Sequence, residues 1–92
     1  MEDFTDSDFS AVYCREGIFI NGGKRNTQVL QNTFFYSPKS RSLEKFNTNM
    51  LEARKCHSNV NVDNNCIYSI GGANDNSPSS STEKYFFMRN TY

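Results

Sequence analysis

Several things are scarce in this 92-residue chain, and each scarcity excludes something. It has no net charge, with ten Lys+Arg balanced by ten Asp+Glu. That excludes a strongly basic nucleic-acid binder and a polybasic membrane anchor. No apolar run approaches the roughly 18 residues of a membrane-spanning helix. The N-terminus, Met1 to Asp6, is acidic and has no apolar core, unlike a secretory signal. Three cysteines, Cys14, Cys56 and Cys66, are an odd set that a disulfide framework would not use. No Asn opens an Asn-x-Ser/Thr acceptor. Together these give an intracellular, cytoplasmic reading, with the cysteines as small apolar residues in a reducing compartment. Tryptophan is absent and hydrophobic residues make up 36%, below the roughly 45–50% of ordinary globular domains. Disorder would also demand high net charge, which is missing. One small domain with a thin core follows, of the kind that needs a staple or a partner.

The chain does contain an internal repeat. Gly22-Gly23 recurs as Gly71-Gly72, 49 residues on, and in the same frame Ile18-Phe19 matches Ile67-Tyr68, Thr33 matches Thr82, Tyr36 matches Tyr85 and Leu43 matches Tyr92. The segments between these anchors read as short strands at 9–14, 17–21, 33–36 and 42–46, and again at 57–62, 66–70 and 82–87. Ser37-Pro38 and Asp63-Asn64-Asn65 mark turns. Residues 49–55 alone have any helical character, and they are too few to stand as a helix. The fold class is all-β, with four short antiparallel strands per repeat. Residues 1–8 form an acidic, disordered lead-in, 9–47 the first unit and 48–92 a second, incomplete one.

A period near 50 with a Gly pair closing a strand resembles the kelch repeat. The most specific stretch is Met50-Leu51-Glu52-Ala53-Arg54-Lys55-Cys56-His57, followed by Ile67-Tyr68-Ser69-Ile70-Gly71-Gly72. Thr82-Glu83-Lys84-Tyr85 resembles the following strand of that family, and Tyr36-Ser37-Pro38 its Tyr-Asp-Pro turn, with Ser37 in place of Asp. Leu43 and Tyr92 stand where the family carries Trp. The resemblance implies blades of a β-propeller and marks Gly22, Gly23, Tyr36, Leu43, Arg54, His57, Gly71, Gly72, Tyr85 and Tyr92 as structural. It is nearest to animal kelch-like proteins, in which a propeller is paired with a BTB domain and recruits substrates to cullin-RING ubiquitin ligases. Propellers close with about four to eight blades. Two blades therefore imply a part of a larger propeller, a truncated product, or a protomer that self-associates, and no stably folded monomer.

No chemistry is expected. Cys56 and His57 are neighbours, and neighbours on a strand face opposite ways, so they do not form a nucleophile–base pair. The cysteines and the single histidine lack metal-ligand spacing, and no metal or cofactor is expected. Binding is expected on loops. In an antiparallel meander the 2–3 and 4–1 loops share one face, here residues 24–32, 47–55 and 73–81. The candidate partner contacts are Lys24, Arg25, Asn26, Arg54, Asn74, Asp75 and Asn76, although Arg54 is also expected to pair with backbone or a carboxylate at a blade junction. The partner is a protein: a ubiquitination substrate, or alternatively actin or another scaffolded protein.

Overall fold

A computed structural model describes residues 6–75 and 77–92; Met1–Thr5 and Asn76 lie outside the described residues. Nine strands form three antiparallel sheets and no helix occurs among the described residues, so no helix is long and apolar enough to cross a membrane. The first sheet orders β1 (Ser10–Cys14), β2 (Gly17–Asn21), β5 (Thr33–Ser37) and β6 (Ser42–Lys45) as a meander. Between β2 and β5, β3 (Lys24–Arg25) and β4 (Gln28–Val29) make a two-stranded ribbon. The second sheet orders β7 (Ser58–Val62), β8 (Cys66–Ile70) and β9 (Thr82–Phe86).

The repeat is written into the pairing. Ile18 faces Tyr36 across β2–β5, and Ile67 faces Tyr85 across β8–β9, so the two registers superpose at the 49-residue offset. The bridge Phe86–Thr91 repeats the pair Ser37–Ser42 that opens β5–β6. Loop bonds repeat too: Gly22 N–H to Asn32 O becomes Gly71 N–H to Ser81 O, and Leu30 N–H to Gly23 O becomes Ser79 N–H to Gly72 O. All four paired glycines have positive φ, between 68° and 94°. At Gly22 a Cβ would also sit 2.4 Å from the Arg54 carbonyl oxygen, so no other residue fits there. The outer hairpins differ by one residue. Arg15-Glu16 turns the first, with both residues at positive φ, and Asp63-Asn64-Asn65 the second.

The two larger sheets stack face to face. Cys14, Phe19, Ile67 and Tyr85 are buried at the junction, with Val12, Phe35, Phe46, Phe87 and Tyr92 packed around them. The rings of Phe19 and Tyr85 lie 5.2 Å apart, and Phe87 meets both edge-on. Strand alternation puts Phe19 and Phe35 on the inner face of the first sheet and Ile18, Ile20 and Tyr36 on its outer face. Tyr36 thus packs away from the junction, unlike its repeat partner Tyr85.

Beyond shifts of one residue at strand ends, three expectations about the fold differ from the structure. Residues 24–32 carry the β3–β4 ribbon, because Arg25 and Gln28 pair across Asn26-Thr27. Strand β7 begins at Ser58; Cys56 has φ 55° and its N–H is drawn to the Asp8 carbonyl, which takes Cys56 out of the strand. Asp6 to Asp8, assigned to a disordered lead-in, are seated: Ser7 exchanges both backbone bonds with Lys24, and Asp6 is buried against Arg25.

Candidate interaction face

The linker 47–57 runs between the two Gly-pair loops and is bonded to both. Met50 N–H donates to Gln31 O, Arg54 N–H to Leu30 O, and Gly23 N–H to Arg54 O on one side. On the other, Lys55 and Ala73 exchange both backbone bonds. The three segments expected to share a face, 24–32, 47–55 and 73–81, are therefore joined along one end of the stacked sheets.

Arg54 holds this end together. Its side chain is wholly buried. Nη1 donates to the carbonyls of Gly71 and Ser81, and Nη2 to Ser81 Oγ and, at 2.8 Å, to Glu83 Oε2. The Glu83 carboxylate also accepts the N–H groups of Leu51 at 2.6 Å and Glu52 at 2.8 Å. A buried cation and a buried anion are thus paired, and the carboxylate fixes the linker backbone. Enclosed in this way, Arg54 offers no surface to a second molecule, so its expected partner contact gives way to the expected pairing with backbone and carboxylate.

The other described candidates are half-buried or exposed. Lys24 is half-buried, with Nζ 3.5 Å from Asp8 Oδ2. Arg25 donates to Asp6 Oδ1 at 2.8 Å yet stays half-exposed. Asn26 is exposed at the ribbon turn with φ 57°. Asn74 makes a tight loop with Ser77 and donates to Glu52 Oε2 at 3.1 Å, while Asp75 is exposed. Asn76 lies outside the described residues. Bonds from Ser81 Oγ and Asn74 hold the Glu52 carboxyl below its ordinary pKa.

Leu51 was not singled out from the sequence. It sits in mid-linker with its amide held by Glu83 and its side chain 82% exposed. The signal was an apolar pair, Met50-Leu51, in a polar linker: Met50 is buried under the linker and Leu51 points out.

His57 begins a second polar cluster, buried between the sheets. Its Nε2 meets Asn21 Oδ1 at 2.7 Å, and Asn59 Nδ2 donates to the same oxygen at 2.9 Å. An amide oxygen only accepts, so His57 is the Nε2–H tautomer. Asn21 Nδ2 in turn donates to Ser69 Oγ and to the Tyr92 hydroxyl, which is bonded to Thr33 Oγ1 at 2.7 Å. Burial first, then the Arg54 charge, pushes the imidazole down to about 4, and burial pushes the Tyr92 phenol up to about 12. Both are neutral at pH 7. His57 is thus tied through Nε2 to the side chain of Asn21 on the first sheet. Arg15, also unanticipated, ties the hairpin tips: its Nε donates to Asn64 O and its guanidinium lies 4.4 Å from the Phe87 ring centroid. The cysteines are free, Cys14 and Cys66 buried and Cys56 exposed.

Compared with models of known protein families and with curated protein sequences, the chain shows no match.

Proposed function

We propose that this chain is a protein-interaction module, part of a kelch-type propeller whose loop end receives a protein partner. The observation that carries the reading is Leu51, an apolar side chain displayed on a backbone clamped by the Arg54–Glu83 pair. An apolar side chain held on a rigid backbone loses little freedom when a partner covers it, so more of the burial energy is left for binding. The repeated registers and Gly-pair loops support two propeller blades. The setting is cytoplasmic substrate recruitment to a cullin-RING ubiquitin ligase, as in the kelch-like proteins that the second repeat resembles.

A photo-crosslinking residue at position 51 tests the proposal, with one at Met88 as control, since Met88 is 84% exposed away from the loop end. Position 51 is expected to trap a discrete protein in cells, position 88 not, and trapping is expected to fall when Arg25 and Asp75 are both replaced by Ala. Equal labelling from both positions would overturn the reading. A trapped cullin-linked substrate assigns the ligase setting; trapped actin assigns the cytoskeletal alternative.

A further inference from the structure

The junction between the two sheets has a direction. The first sheet contributes its Phe19 face and the second its Tyr85 face. The repeat then defines two outward faces. The first sheet's outer face holds Ala11, Ile18, Ile20, Tyr36 and Leu43, which stand where the second sheet has Asn59, Ile67, Ser69, Tyr85 and Tyr92. The second sheet's outer face holds Val60, Tyr68 and Ile70, which stand where the first has Val12, Phe19 and Asn21. One outward face is thus the counterpart of the other's partner in the existing junction.

The substitutions between copies are matched across that junction. Inside the chain, Asn21 bonds Ser69, and also Asn59 and Tyr92. At the repeat-equivalent positions Asn21 becomes Ile70, while Ser69 becomes Ile20, Asn59 becomes Ala11 and Tyr92 becomes Leu43. Asn21 and these three partners turn apolar together. The ring pair Phe19–Tyr85 becomes Tyr68 against Tyr36. Thr33 recurs unchanged as Thr82. An apolar residue set against a polar one would bury an unpaired group; here Ile meets Ile, Ala and Leu. On the second outer face Val60 and Ile70 remain 45% and 44% exposed, and Lys84 covers the rings of Tyr68 and Phe86 from 5.1 and 4.7 Å.

We propose that this chain self-associates head to tail, the Ile20–Leu43 face of one copy seating on the Val60–Ile70 face of the next. The contact is heterologous, so it extends or closes a ring according to the rotation between sheets. This inference rests on the repeat and the junction, not on the loop-end reading, and each can fail alone.

Light scattering after gel filtration, with far-UV circular dichroism on each peak, tests it on the 92-residue chain. The parent is expected as a folded assembly. Ile20→Asp and Ile70→Asp each lie outside the inter-sheet core, and each is expected as a folded species of 10.6 kDa. Mixed, the two are expected to give a species of twice the chain mass, because each retains the face that the other lacks. The double variant Ile20→Ser/Ile70→Asn, which recreates the Asn21–Ser69 pair, is expected to assemble again. A monomeric parent, folded or not, overturns the proposal. So does self-association of either single Asp variant, which would mean a two-fold contact between like faces, and so does a mixture that stays at the single-chain mass.

Discussion

Lowering the pH from 7.5 to 5.0 will destabilise this protein through His57. The imidazole is buried, donates to Asn21 from Nε2, and titrates at about 4 rather than the ordinary 6.5. Its Nδ1 is buried with no hydrogen-bond partner among the described residues, so a proton there enters a desolvated site that already faces the Arg54 charge. The unfolded chain takes up that proton as pH falls through 6.5, and the folded chain does not until about 4. The unfolded state therefore binds more protons across that window, and stability falls with falling pH. At about 1.36 kcal/mol per pH unit, the one and a half units from 6.5 to 5.0 cost about 2 kcal/mol. That is a large share of the ~5–15 kcal/mol of a typical domain. Urea unfolding at fixed protein concentration and pH 7.5, 6.5, 5.5 and 5.0 measures it, with His57→Gln as reference. The Gln variant should be less stable at pH 7.5 but nearly flat with pH. His57 is the sole histidine, so its ring C2–H resonance is also unique and should not shift above pH 5. Equal slopes in the two proteins, or a resonance titrating near 6.5, would refute the argument.

Other consequences can be checked on the same footing. Replacing Arg54 by Met should cost about 3–5 kcal/mol in urea unfolding, because Glu83 is left buried without its cation; Arg54→Met with Glu83→Leu should recover part of that loss. Gly71→Ala should cost only about 1 kcal/mol, for its positive φ with the nearest atom 3.8 Å away, whereas Gly22→Ala should cost more than about 3 kcal/mol, since its Cβ meets the Arg54 carbonyl as well. A water-soluble maleimide should modify Cys56 alone in the folded protein, as read by intact mass, and reach Cys14 and Cys66 only after denaturation; burial also raises the Cys14 thiol pKa and slows its reaction.

How far the sequence could be read follows from how local each signal is. Strands such as Gly17–Asn21 and Cys66–Ile70 are visible because β-prone runs stop at glycine pairs, and both ends match the structure. The gathering of the three long loops at one end follows from meander parity alone. The β3–β4 ribbon was invisible because Lys24-Arg25 and Gln28-Val29 are two-residue strands with no periodicity. Arg54 was half legible: a junction role could be weighed, but its complete burial depends on Glu83, 29 residues away. The partner of His57 could not be foreseen, since Asn21 is an ordinary strand residue until the sheets stack. Leu51 reads as a core residue in any hydrophobicity pattern, yet it is exposed, with its amide held by Glu83.

The stacking of Phe19 against Tyr85 and Phe87 bears on how the molecule opens. Phe19 belongs to the first sheet and has no exposed surface, yet much of what covers it belongs to the second. Ile67, equally enclosed, lies on the other side of the same junction. Neither sheet can detach without wetting the best-protected residue of the other, so the two lack separate opening transitions. Amide hydrogens of Phe19 and Ile67 should consequently exchange with solvent at one common, slowest rate, set by loss of the whole fold.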